Sequence, residues 1–147
     1  MVRSLLLAAG ALALLLLPRA AGAEDLAKVV GDFGLLGSWA PDCSKPLSPQ
    51  APRVLYAATP DGGVTRELVE GAEHGSGTPF LAASRLAPDR LEVDYLYRDR
   101  TVHLVLEMQD GRHRGLTSWI DGGAPFMEDG VVLANNRKAP WLTKCPQ

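Results

Sequence analysis

Three histidines, two cysteines, two glutamates and a few aromatic rings are the side chains of this 147-residue sequence whose types and spacing could do chemistry. His74, His103 and His113 are the right type for a metal centre. His74 falls in a Gly-rich stretch, and the other two fall in strand-like segments. If Asp110-Gly111 is a two-residue turn, His113 faces inward and His103 outward, so they diverge. A three-histidine site needs a bulge in that hairpin and a favourable loop. No metal and no cofactor is expected. Glu92 and Glu107 come opposite each other in one reading of their hairpin, which is a spacing suited to acid–base work. The expectation is two solvated glutamates on an outer face. G-x-S-x-G, P-loop, H-E-x-x-H and C-x-x-C patterns are absent from the sequence, and Gly75-Ser76-Gly77 lacks the third glycine of a dinucleotide loop. The chain is expected not to be an enzyme. Phe80, Tyr95 and Tyr97, with Trp119, form the one aromatic cluster the alternation assembles. Such a cluster suits a lumen that holds a small apolar ligand oriented by phenols, or else a filled core.

The cysteines bound the compartment. Arg3, the uncharged run Leu5–Leu17, Pro18 and the small-residue Ala21-Gly22-Ala23 read as a signal peptide over residues 1–23. The run has 13 residues, where crossing a bilayer takes about 20, so cleavage is expected rather than anchoring. The mature chain, 24–147, is then a single periplasmic or secreted domain. Arg3 and Arg19 leave with the signal, so 13 basic and 17 acidic residues set a net charge of −4. That balance argues against nucleic acid, and no basic amphipathic helix argues for a membrane surface. In an oxidising compartment Cys43 and Cys145 are expected to bond, the alternative being two free thiols.

The elements that must position these groups follow from periodicity. Leu26, Val29, Val30 and Phe33 predict a short helix within Glu24–Leu36, stopped by Gly31 or Gly34. Gly37–Ala40 begins a first strand. Prolines 41, 46, 49 and 52 make a stiff surface loop. Strands are then expected over Arg53–Thr59, Val64–Glu70, Pro79–Ala87, Arg90–Arg98, Thr101–Gln109, Arg112–Ile120 and Val131–Ala134, with a mobile Gly-rich loop over Glu70–Pro79. Consecutive hairpins with one apolar face predict an all-β, antiparallel up-and-down meander closing into a small barrel of about eight strands, with the short helix in front.

Register can be read from the turns. Taking Asp99-Arg100 as a two-residue loop opposes Tyr97–Val102, Tyr95–Leu104, Val93–Leu106 and Leu91–Met108 on the inner face. Taking Pro88-Asp89 likewise adds Phe80, Ala82, Ser84 and Leu86. Phe80, Ala82, Leu86, Leu91, Val93, Tyr95, Leu104 and Leu106 are thus expected inside, and Glu92, Asp94, Arg98 and Glu107 in water. The segment after Asp110-Gly111 stays open. A tight turn puts His113, Gly115, Thr117 and Trp119 inside, and a bulge puts Leu116, Ser118 and Ile120 there.

Gly37-Ser38-Trp39 before a meander resembles the G-x-W entry of lipocalins and other calycins, in which the tryptophan closes the barrel bottom behind a short helix. More closely, Gly37-x-Trp39-Ala40-x-Asp42-Cys43-Ser44 and Pro140-Trp141-Leu142-x-Lys144-Cys145 resemble the two ends of uncharacterised exported bacterial proteins with a lipocalin-like barrel. The resemblance covers most of the mature chain. It implies the Cys43–Cys145 bond, a periplasmic home and Trp39 as a barrel plug, and it implies no activity. Recognition is then expected at the end away from Trp39, with Glu70–Pro79 contributing to the mouth and Pro140-Trp141 near the plug. The leading expectation is an exported, non-enzymatic barrel binding a small apolar or amphipathic ligand. The second is an envelope protein-interaction or inhibitor module using the Pro-rich segment. The third is an unrecognised hydrolase.

Overall fold

The computed structural model describes residues 25–146, so the expected signal segment lies outside the described residues. Helix α1 (Leu26–Asp32) opens the described chain. The Asp25 carboxylate accepts a hydrogen bond from the Ala27 amide at 3.0 Å and caps its first turn. Of the two candidate stops, Gly31 lies inside the helix. Gly34 ends it, at φ +86°, a conformation that costs a residue with a Cβ. Val30, Phe33 and Leu35 are buried, so the apolar stripe read from the sequence is the packed face.

Eleven strands follow: β1 (Gly37–Ala40), β2 (Arg53–Ala58), β3 (Val64–Val69), β4 (Thr78–Ala87), β5 (Arg90–Tyr97), β6 (Arg100–Gln109), β7 (Arg112–Ile120), β8 (Pro125–Glu128), β9 (Val131–Val132), β10 (Arg137–Lys138) and β11 (Leu142–Lys144). Strands β1 to β7 pair in sequence, all antiparallel, and β11 closes the ring by pairing with β7 on one side and β1 on the other. This is an all-β, up-and-down, eight-stranded closed barrel with a short N-terminal helix, as the alternation predicts. Strands β8, β9 and β10 are a small meander hung on the far half of β7. The sequence pattern signals only β9 of the last four. Strands of two to four residues carry too few alternations to read.

The disulfide Cys43–Cys145 joins the segment after β1 to the residue after β11, across 102 positions of sequence. It holds together the seam where the barrel closes. Cys145 also donates its amide to the Ser38 carbonyl at 2.8 Å, which extends the β1–β11 ladder by one bond. In the chain-entropy account a cross-link over a loop this long stabilises by roughly 4.7 kcal/mol.

Register departs from expectation in an instructive way. Strands β5 and β6 pair as Leu91↔Leu106, Val93↔Leu104 and Tyr95↔Val102, and the turn is Arg98-Asp99 rather than Asp99-Arg100. Both turn residues have positive φ, 48° and 62°, the pattern of a tight hairpin whose twist matches its strands. The slip is two residues, so every side chain keeps its face, and the hydrophobic pattern cannot tell the two pairings apart. Polar partners can. The expected pairing sets Glu92 against Glu107, like charges directly opposed. The observed one sets Asp94 against His103, Glu92 against Val105 and Glu107 against Arg90.

Strand β4 has two irregularities, between Phe80 and Ala82 and between Arg85 and Ala87. They correct the expected inner face. Phe80 is buried, but Ala82 is exposed and Leu86 is 53% exposed, while Ala83 packs inward opposite Val93. A bulge inserts one residue and inverts the alternation beyond it. Leu91, Val93 and Leu106 are buried, and Tyr95 and Leu104 pack against them, as expected. On the outer face Arg98 is exposed, whereas Glu92, Asp94 and Glu107 are half-buried by neighbouring polar groups rather than free in water.

Strand β7 resolves its two registers by using both. It begins in the tight-turn register, with Asp110 and Gly111 at φ 51° and 71°, Met108↔His113 and Leu106↔Gly115. A bulge then intervenes between Val105 and Leu106, and the strand continues as Leu104↔Ser118 and Val102↔Ile120. His113, Gly115 and Ser118 therefore all face the lumen.

Candidate functional site

Trp39 forms the floor of the lumen. It is 2% exposed, and its indole N–H donates to the Leu35 carbonyl at 2.7 Å, which ties the ring to the segment leaving α1. The Leu35 carbonyl bonded to the indole and the apolar cluster of Val30, Leu35 and Tyr56 around it make this end closed. The ring of His113 stands edge-on to Trp39, centroids 4.6 Å apart, and edge-on to Tyr56 at 5.6 Å.

Above this floor is a cavity of about 370 Å³. Its walls include Val54, Leu104, Leu106, Met127 and Leu142, and Pro41, Leu68, Phe126 and Pro140 lie at its exposed side. Gly115 adds to its width, because a side chain at this position would occupy part of the space. A Cβ built there would stand 3.1 Å from the Met127 sulfur and 3.4 Å from Leu104 Cδ1. The polar groups in its lining are few: Tyr56, Arg66, Tyr95, His113, Arg114 and Ser118. The Ser118 hydroxyl is already engaged, donating to the His103 carbonyl at 2.8 Å.

His113 is not engaged. It is 1% exposed, and neither ring nitrogen has a hydrogen-bond partner among the described residues. Burial pushes its pKa down to about 4, and the Arg66 charge adds to the shift, so the imidazole is neutral at pH 7. Burial also raises the pKa values of Tyr56 and Tyr95, with Arg66 acting in the opposite sense on both. Arg66 is brought there by the β2–β3 hairpin, in which Tyr56 and Arg66 are directly opposed, so that its charge acts on the Tyr56 phenol.

The outer face carries a second polar cluster. His103 Nδ1 lies 2.7 Å from Asp94 and Nε2 lies 2.6 Å from Asp121, while its ring stacks on Trp119 with centroids 5.0 Å apart. Its pKa is raised, chiefly by the Asp121 hydrogen bond, against a smaller cost of burial, with Asp94 adding. Glu92, Asp94 and His103 offer donor atoms within 4.8 Å of one another, a set that a divalent cation could use. With a carboxylate at each nitrogen, the arrangement is also complete as an ion-paired imidazolium. Nearby, Glu107 accepts two hydrogen bonds from Arg114, each 3.0 Å, in place of the expected glutamate pair.

Of the four aromatic residues expected to line a ligand site, Tyr95 lines the cavity. Phe80 is in the core below it. Tyr97 is 55% exposed and lines a shallower cleft of about 470 Å³ with Tyr95, Val102, Ile120 and Phe126. Trp119 is on the outside against His103, because the bulge in β7 inverted its face. The mouth also differs from expectation. No residue of 70–79 lines the cavity, and the prolines that follow β1 and precede β2 and β11 sit at its open side instead. Pro140 lines the same cavity as Trp39, and Trp141 follows it. Trp141 lies under the guanidinium groups of Arg112 and Arg114, 5.5 and 4.6 Å from the ring centroid. Tyr56 and Arg66 were missed, though the Asp61-Gly62-Gly63 turn and simple alternation place them opposite each other. His113 was inside in one of the two registers left open. No protein family, curated protein or solved structure matches this chain.

Proposed function

We propose that the protein is exported, non-enzymatic and binds a small amphipathic ligand in the barrel lumen. The observation that carries this reading is His113. A buried polar group without a partner costs about 1–3 kcal/mol. Here that cost sits at the floor of a cavity that opens to solvent, where an incoming group can relieve it. The apolar walls suit a hydrocarbon or ring body, and the few polar groups are grouped to orient it. The G-x-W entry and the stapled ends agree with an exported carrier of this shape.

The test is native mass spectrometry of protein purified from its own host. A mature chain starting at Glu24 and carrying an added mass is expected, with the adduct lost in Gly115→Leu, which fills the cavity. A bare chain that takes up nothing from a host lipid and metabolite extract counts against lumen binding. An uncleaved N-terminus counts against export.

A further inference from the structure

We propose that the lumen selects an anionic head group, held by Arg66 with His113 and the two tyrosines, on an amphipathic body. This deepens the lumen-binding reading and rests on it. Arg66 faces the cavity from β3, half-buried, and makes no ion pair among the described residues. By contrast, Arg114 at the rim is neutralised by Glu107. Among the described residues no aspartate or glutamate lines the cavity, so its side chains carry net positive charge.

A cation in a partly desolvated cleft without a counter-ion is an unfavourable arrangement that an anion corrects. The other polar groups fit the same occupant. Neutral His113 can donate one N–H, and the Tyr56 and Tyr95 hydroxyls can donate as well, so four donor-bearing side chains line the cavity while no carboxylate repels. The planar fork of Arg66 suits two oxygens of a carboxylate or sulfonate. A cavity of about 370 Å³ limits the body to a medium acyl chain or a small ring system rather than a diacyl lipid.

The experiment is calorimetric titration of the mature chain with three probes that share a ten-carbon tail: decanoate, decanol and decyltrimethylammonium. Decanoate should bind at least about tenfold more tightly than decanol, the scale of one charge-assisted hydrogen bond, and the ammonium should bind weakest. Arg66→Gln should remove that preference by weakening decanoate alone, and His113→Phe should weaken decanoate without affecting the ammonium. Thermal midpoints of both variants establish that they are folded. Decanol binding as tightly as decanoate, or Arg66→Gln leaving the preference intact, overturns the anion inference while the lumen reading stands. Failure of all three probes to bind overturns both.

Discussion

His113 and His103 lie on neighbouring strands, ten residues apart, on opposite faces of one sheet, and they live in opposite chemical worlds. His103 has a carboxylate at each nitrogen and a ring stacked on its face. His113 stands edge-on to two aromatic rings, and neither of its nitrogens has a partner among the described residues. One site is saturated by its own chain and the other is left open. A small barrel can tolerate a few stranded polar atoms, and each of them calls for a physical explanation. The outer cluster looks more like chemistry at first sight, with three acids around a histidine, yet it is the inner histidine on which the proposed binding function rests.

The largest effect expected in testing this contrast is from Trp39→Ala. It removes the floor against which His113 packs and should cost about 3–5 kcal/mol in chemical denaturation. If water then reaches the imidazole, the acid sensitivity described next should shrink in the same variant. A loss below about 1 kcal/mol would show that Trp39 does not carry the closed end.

Acid comes second. The folded pKa of His113, about 4, lies below its ordinary 6.5. Above pH 6.5 both folded and unfolded chains hold it neutral. As pH falls from 6.5 to 4 the unfolded chain takes up a proton that the folded chain refuses, so stability drops, by roughly 3 kcal/mol across that window. Denaturant midpoints measured at pH 7 and pH 4.5 in wild type and His113→Leu check this, and the variant should lose the part of the drop that His113 causes.

The same variant supplies the third test at pH 7. Leucine replaces two orphaned nitrogens with apolar surface, so stability should stay level or rise by about 1 kcal/mol. A clear fall would mean that His113 already has a partner in the purified protein. The smallest effect is on the outer face. The raised pKa of His103 means that its contribution is full below pH 6.5 and fades as pH rises through the higher folded value. His103→Gln should cost no more than about 1 kcal/mol, as partly solvated ion pairs do, and chiefly below pH 6.5. A loss comparable to that of Trp39→Ala would erase the distinction between the two sites.

Much of this molecule is legible from its residues alone. The alternation in β5 and β6, the turn dipeptides and the glycine after α1 specify an antiparallel meander and its faces, because a side chain's face depends on a period of two and nothing else. Leu91, Val93 and Leu106 are core for that reason, and a slip of two leaves them so. The cysteines, two in number, point to their own bond. What tertiary structure alone decides is where the period breaks. Bulges in β4 and β7 take Ala82, Leu86 and Trp119 out of the predicted interior and bring Ser118 in. Closure through β11, three residues long, then places Leu142 opposite His113 and completes the wall. A bulge is set by how two strands must bend to close a ring, which depends on all eight strands together. The site depends on the same closure: Tyr56, Arg66, Tyr95 and His113 come from four different strands, and only the curvature of the finished barrel brings them around one cavity.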